Sequence, residues 1–159
     1  MTEVSPELLT VALAALPLTE LRAALPIAIG TFGLGVGPAY VFSVIGNLIP
    51  VPFILWLLPP VVRWTSRHWT WAHRVLDAYF LRLRRKHGQT FERAGMVVIA
   101  AFVCIPLPGT GAWTASILAV LFAIRPRYSI PGIAVGVLAA GLVVLAITTG
   151  TLGAYASFL

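Results

Sequence analysis

Long apolar runs separated by short polar segments dominate this chain. The stretches 8–37, 38–62, 94–124 and 128–159 are uncharged or almost so. A helix rises about 1.5 Å per residue and a hydrocarbon core is about 30 Å thick, so about 20 apolar residues can cross it. The pattern predicts an all-α integral membrane protein, a single membrane domain over 1–159, with ordinary transmembrane helices at 38–62 and 128–158.

The stretch 94–124 does not fit one ordinary span. It is too long for a single upright helix and too short for two complete crossings with a turn. Its centre holds four helix-disfavouring residues, Pro106, Pro108, Gly109 and Gly111. Proline removes a backbone donor and restricts the residue before it, so a continuous helix is not expected there. We therefore predict a re-entrant helical hairpin over 94–124.

The first stretch repeats this organisation. Pro17 and Pro26 interrupt it, and Glu20 and Arg22 lie between them. Broken backbone at membrane depth is tolerated where it is buried in protein or lines a wet cavity. The sequence predicts a second re-entrant hairpin over 7–37.

Short matches relate the two parts of the chain. Leu16–Leu18 corresponds to Ile105–Leu107 at an offset of 89, and Pro38–Tyr40 corresponds to Pro126–Tyr128 at an offset of 88. Each part reads as a re-entrant hairpin followed by a transmembrane helix. We interpret the chain as two repeats of inverted topology.

Composition and charge then set the orientation. The chain is 59% hydrophobic and 10% charged, which excludes an ordinary soluble domain. Its net charge of +6 does not indicate a nucleic-acid partner, because eight of the eleven basic residues lie in 63–93. The positive-inside rule makes that segment cytoplasmic, with both termini outside a plasma membrane and the two repeats inverted. Aromatic and aliphatic residues near helical spacing predict an amphipathic helix in 63–93.

The sequence offers no framework for a cofactor. One cysteine, Cys104, permits no intramolecular disulfide, and His68, His73 and His87 lack metal-ligand spacing. We expect no cofactor and no metal.

Glu20 and Arg22 are the candidate functional residues of the first break. A charged side chain inside a membrane segment usually has a partner or lines a water-filled pathway. Residues two apart do not face each other on a regular helix, so a direct ion pair requires unwound backbone. The functional interpretation is that Arg22 binds an anion such as phosphate, while Glu20 exchanges a proton or fixes Arg22.

The second break offers neutral donors. Gly109 and Gly111 expose backbone, Thr110 and Thr114 offer hydroxyls, and the helix that follows begins with its positive dipole end. These features suit an anionic group, although proline and glycine could simply make the turn. Asn47, within 38–62, either reaches one of the breaks or satisfies broken backbone.

These residues resemble a known family. The run Glu20–Pro26 and the run Pro106–Trp113 are similar to those of the small multidrug export proteins, and the resemblance covers nearly the whole chain. That family looks like a compact relative of the DedA/VTT superfamily, whose members have two facing re-entrant hairpins and move lipids, including the polyprenyl-phosphate carrier. The resemblance implies that Glu20 and Arg22 are the acidic and basic residues of the first tip.

Three function classes follow. The leading one is a transporter or flippase for an amphiphilic anion, a lipid phosphate such as undecaprenyl phosphate, with Glu20 as the residue that would couple transport to protons. The alternative is efflux of small hydrophobic cations by the Glu20 carboxylate. From another class, an intramembrane lipid phosphatase would use Ser116 or Thr110, but no intramembrane histidine accompanies them, so we expect no enzyme.

A second copy of the chain is the expected protein partner, besides the lipid bilayer. Four membrane segments enclose little interior, and small residues four apart let helices approach closely. Gly33, Gly37, Gly132 and Gly136 form two such pairs. These pairs suit close helix approach within or between protomers, and we expect a homodimer packed through the helices that carry them. A structural or channel protein without a substrate is the remaining alternative.

Overall fold

The computed structural model describes residues 5–66, 94–105, 107, 109–122 and 124–157. Every regular element in these residues is an α-helix. The helices are α1 (Pro6–Ala15), α2 (Glu20–Gly30), α3 (Val36–Leu48), α4 (Pro50–Ser66), α5 (Ala94–Cys104), α6 (Ala112–Leu121) and α7 (Pro126–Ser157). Beyond Ser66, the predicted amphipathic helix of 63–93 lies outside the described residues.

Within the described residues, two apolar helical runs are long enough to cross a membrane by length and composition. They are Val36–Val61 and Pro126–Thr151, each of 26 residues, with mean hydropathies of 2.1 and 2.6. Large apolar side chains on them point away from the protein; Trp56, for example, is 84% exposed. The all-helical class and the two long apolar spans agree with the prediction.

The first span is not the single regular helix that we predicted for 38–62. α3 ends at Leu48, Ile49 forms a turn, and α4 begins at Pro50. Proline has no N–H group, so Pro50 and Pro52 remove the donors that would reach the carbonyls of Gly46 and Leu48. Two prolines in three residues therefore divide the span.

Pro26 was predicted to break the first stretch, and this was wrong. α2 continues through Pro26 to Gly30. A proline keeps a φ that suits a helix, but it removes the bond to the carbonyl four positions back and its ring crowds that carbonyl. Leu25 and Ala28, on either side of it, are fully buried, so packing of the helix outweighs that loss.

The second span begins earlier than predicted. Pro126, not Tyr128, opens α7, because a proline at the first helical position loses no intrahelical bond. Pro131 lies inside the helix.

Two short helices flank each interruption of the chain. α1 and α2 pack against each other across residues 16–19, hereafter the first break. Leu16 caps α1 in an extended conformation, and the Thr19 hydroxyl donates to the carbonyl of Leu13. α5 and α6 flank residues 105–111, hereafter the second break.

Glycines bring the short helices close to the long ones. A Cβ atom on Gly46 of α3 would lie 2.4 Å from the carbonyl oxygen of Val11 and 2.7 Å from Cβ of Ala14, on α1. A Cβ on Gly136 of α7 would lie 2.7 Å from the carbonyl oxygen of Ala100 and 2.6 Å from Cβ of Val103, on α5. Close backbone approach of this kind drives helix association where lipid removes the hydrophobic contribution.

One of the two glycine pairs brings helices together within the protomer. Gly132 and Gly136 face α5 of the same chain, with a Cβ on Gly132 reaching 2.8 Å from the carbonyl oxygen of Met96. The pair is therefore already used inside the protomer and cannot form a close contact with a second copy. A Cβ on Gly33 or Gly37 would meet nothing within 4 Å.

The core is one apolar cluster to which all helices from α2 to α7 contribute. Leu21, Leu25, Ile133 and Val137 are at most 1% exposed and belong to one apolar cluster. This cluster fixes α2 and α6, the two helices that begin at the breaks.

Candidate functional site

The two breaks contact each other through Glu20. This residue opens α2, and its side chain is 7% exposed. Its Oε1 accepts a hydrogen bond from the backbone N–H of Trp113 at 3.5 Å. Its carboxylate also lies against Gly111, where an added Cβ would come within 1.5 Å of Oε2. Only glycine leaves room for the carboxylate at this point.

Glu20 acts as the N-terminal cap of α6. Gly111 is the N-cap residue and has no side chain to accept from the first turn, whereas Trp113 is the second residue of the helix. A carboxylate that accepts this N–H replaces the missing cap, and its charge is favoured by the positive end of the helix dipole. The first break thus supplies an acceptor that the second break lacks.

The backbone of Glu20 is unusual. Its φ is +45°, and no other non-glycine residue in the described ranges has a positive φ. The left-handed conformation costs roughly 1–2 kcal/mol for a residue with a side chain. Such strain persists where surrounding contacts fix it, and it concentrates at functional sites.

Arg22 contacts the second break separately. Its Nη2 donates to Oγ1 of Thr110 at 2.8 Å. Oγ1 of Thr110 also lies 2.6 Å from the carbonyl oxygen of Ile105 and 2.9 Å from that of Leu107, and its single proton can be donated to either. Arg22 therefore binds to a hydroxyl that is itself held by the backbone of the second break.

Glu20 and Arg22 do not pair directly. In the described part of the chain, Glu20 accepts from Trp113 and Arg22 donates to Thr110, and no hydrogen bond joins the two charged groups. The separation follows from their spacing, because residues two apart point to different sides of a helix.

The other predicted site residues are dispersed. Pro17 is exposed in the first break, and Gly109 is exposed in the second with a φ of +85°, a conformation that favours glycine. Thr114 is half-buried on α6 with no side-chain hydrogen bond to the described residues. Pro106 and Pro108 lie outside the described residues.

Asn47 does not satisfy broken backbone through its side-chain oxygen. It is 4% exposed, and its Oδ1 has no hydrogen-bond partner in the described residues. Oγ of Ser43, one helical turn earlier on α3, is also buried and has no hydrogen-bond partner in the described residues. Ser43 was not predicted as a site residue.

Trp113 was also missed. Its indole Nε1 donates to the carbonyl of Ala15 at 3.1 Å, so the side chain reaches the last residue of α1 while the backbone reaches Glu20. An aromatic residue with a polar N–H directly after a glycine-rich break was the available signal.

No group of three or more histidine, cysteine, aspartate or glutamate side chains in the described ranges is placed to hold a metal ion. His68, His73 and His87 lie outside those ranges.

The helices and the contact between the breaks define an all-helical membrane protein with charged residues at a junction of interrupted helices. The sequence profile of a family described as "Putative small multi-drug export protein" matches residues 20–143, and the chain belongs to that family. The matched range contains Glu20, Arg22 and the whole second break. No curated protein and no solved structure matches the chain, so a relationship to the DedA/VTT superfamily stays a prediction.

Proposed function

We propose that this protein exports small hydrophobic cations and that the Glu20 carboxylate binds the exported cation or a proton. One observation carries the proposal: Glu20 is a buried carboxylate whose neighbouring arginine is bound elsewhere, to Thr110. A carboxylate buried without a paired cation is costly, and a proton or a cationic substrate would remove that cost. The family description, which names multidrug export, favours the same function.

The sequence also predicted a lipid phosphate as cargo, and this anion remains the second candidate. One feature favours it. Arg22 is half-buried and uses one of its five N–H donors on a described residue, so it keeps donors for a phosphate. The export of cations is preferred because Glu20 is the more deeply buried of the two charged residues, so its charge gains more from a bound cation or proton.

A transport pathway between the breaks is part of the proposal. The proposed pathway requires that the two halves of the chain are inverted repeats and that each break belongs to a re-entrant hairpin. Matched contacts support this: Gly136 follows Gly46 by 90 positions, and its partners Ala100 and Val103 follow Val11 and Ala14 by 89. Equivalent helices therefore pack through equivalent atoms.

We further propose a plasma-membrane location with the basic segment 63–93 in the cytoplasm and both termini outside. The support is the concentration of basic residues in this segment. We propose a homodimer that uses a surface other than the one containing Gly132 and Gly136.

A catalytic role is not part of the proposal. Ser116, the candidate nucleophile of a lipid phosphatase, is fully buried and donates to the carbonyl of Ala112 at 2.6 Å. A nucleophile needs an adjacent base and access to substrate, and this hydroxyl is occupied within its own helix.

Export of a fluorescent hydrophobic cation, ethidium, from proteoliposomes tests the proposal. Glu20→Gln keeps the size of the side chain and removes its charge, so we expect transport to fall to the level of empty liposomes. Glu7→Gln changes an acidic residue in the first turn of α1 and should leave transport intact.

A labelled polyprenyl phosphate, assayed in the same liposomes, separates the two cargoes. Movement of this lipid that is lost in Arg22→Ala, together with no ethidium transport by the wild type, would replace cation export by lipid-phosphate transport. Ethidium transport that survives Glu20→Gln would reject the role of Glu20.

A further inference from the structure

Two polar side chains inside the first span lack partners. Oγ of Ser43 and Oδ1 of Asn47 are buried, at 0% and 4% residue exposure, and neither has a hydrogen-bond partner in the described residues. The residues are four positions apart on α3, so both lie on the same face of the helix.

Ser43 differs from the other buried hydroxyl residues. Thr10, Ser116, Ser129 and Thr148 each donate to the carbonyl four residues earlier, at 2.6–3.5 Å. Ser43 could do the same to Ala39, and it does not. An unpaired buried hydroxyl costs about 1–3 kcal/mol, so the absence of a described partner for Oγ of Ser43 indicates a ligand.

The backbone next to Asn47 supplies further oxygen atoms. Because Pro50 and Pro52 have no N–H, the carbonyls of Gly46 and Leu48 lose their usual helical donors. In transporters, carbonyls of interrupted helices coordinate coupling ions such as Na⁺. Two side-chain oxygens and two carbonyls without helical donors therefore occur within six residues of α3.

The chemistry of this group selects its ligand. All candidate ligand atoms are oxygen, whereas zinc and other transition metals favour nitrogen or sulfur ligands. The span Val36–Val61 has no charged side chain, so it offers neither the carboxylates that a divalent cation needs nor a cation for an anion. A dehydrated monovalent cation fits a neutral oxygen set.

We propose that Ser43 and Asn47 form a Na⁺ site at the interruption between α3 and α4. Asn47 Oδ1 and Ser43 Oγ are its side-chain ligands, and one of the two carbonyls freed by Pro50 and Pro52 is the available backbone ligand, because residues two apart point to different sides of the helix. α2, which carries the buried Glu20, packs against α3 and provides the nearest buried acidic residue in the described part of the chain. The site goes beyond the proposed export and supplies an ion whose gradient can drive it.

Equilibrium binding of ²²Na⁺ to the purified full-length protein in detergent tests the site without any substrate. We expect saturable binding that unlabelled NaCl displaces and choline chloride does not. The unfolding temperature should rise with NaCl and not with choline chloride at equal ionic strength, because an ion bound only by the folded state stabilises it.

Three variants assign the site. Asn47→Leu and Ser43→Ala should each weaken Na⁺ binding by about tenfold or more, the equivalent of one lost ligand contact. Without Na⁺ both should unfold at or above the wild-type temperature, because each removes an unpaired buried polar atom. Ser116→Ala removes a buried hydroxyl that already has a partner and should leave Na⁺ binding unchanged.

The proposal is overturned if the wild type shows no saturable ²²Na⁺ binding, or if both Ser43→Ala and Asn47→Leu bind as tightly as the wild type. Ser43→Ala removes a single atom, so it keeps the test decisive if Asn47→Leu does not fold. Because binding is measured without ethidium, failure of the export assay would leave this result standing.

Discussion

The two breaks of the chain occupy similar places between short helices, yet they contribute different chemistry. The first is followed by Glu20 and Arg22, which carry opposite charges. The second carries Thr110 and Gly111 and leads into the N-terminus of α6, which offer a hydroxyl and backbone N–H groups. Each charge of the first break is therefore held by a neutral group of the second.

The contacts that hold the two halves differ much less than the breaks do. Gly46 against α1 and Gly136 against α5 present the same pair of partner atoms, a carbonyl oxygen and a Cβ. The glycine contacts form a scaffold that is the same in both halves. The contacts of Glu20 and Arg22 form a site in which the two halves contribute different groups. Substitutions in the scaffold should affect both halves alike, whereas substitutions in the site should depend on which break they change.

The largest expected effect concerns the scaffold. Gly46→Ala and Gly136→Ala each place a Cβ within 2.7 Å of backbone or Cβ atoms that cannot swing away. Overpacking usually costs about 1–3 kcal/mol and more where backbone must move, so we expect both variants to lose similar unfolding free energy, about 3 kcal/mol or more. Thermal unfolding in detergent measures it, with Gly37→Ala as the control in open space. A large difference between the two variants would contradict the matched scaffold.

Thr110→Val should have the next largest effect. It removes the oxygen that accepts from Arg22, and a hydrogen bond to a charged group is worth about 1.5–3 kcal/mol. Thr110→Ser retains the hydroxyl and is the control. Unfolding in urea compares them; equal stability of the valine and serine variants would show that Arg22 does not depend on this contact.

Gly111→Ala should lower the unfolding free energy less than Thr110→Val does, but it should strongly reduce ethidium export. The new Cβ would displace the flexible end of Glu20, so α6 loses its cap at a cost of about 1 kcal/mol. Ethidium export should fall as it does in Glu20→Gln, because the carboxylate leaves its place. Normal export by Gly111→Ala would show that the position of the carboxylate at α6 is not required.

Trp113→Phe should have the smallest effect. It removes the bond from the indole to Ala15 and leaves the backbone N–H that reaches Glu20. We expect a loss of about 0.5–1.5 kcal/mol in unfolding free energy and nearly normal export. Export lost in Trp113→Phe would place the indole itself in the pathway.

The sequence predicted the elements better than their contacts. Proline and glycine act on their own backbone, so interruptions near Pro17 and within 105–111 could be predicted locally. Pro26 could not, because the burial of its neighbours decides whether the helix continues. The hydrogen bond from Arg22 to Thr110 depends on how α2 packs near α6, and no local sequence pattern predicts that packing.

The unpaired side chains show a second limit. Asn47 stood out as a polar residue in an apolar span, but Ser43 did not, because serine in a helix usually bonds to its own backbone. Only the packed structure shows that Ser43 departs from this rule.

The position of Trp113 also allows the contact between the two breaks to be followed by tryptophan fluorescence. Its indole N–H bonds to Ala15, and its backbone bonds to Glu20, so the ring lies where the two breaks meet. The other tryptophans are Trp56, Trp64, Trp69 and Trp71, and phenylalanine at all four would leave one emitter. The emission of Trp113 would then shift to longer wavelength whenever the breaks part and water reaches the ring, giving a real-time optical record of opening in unlabelled protein.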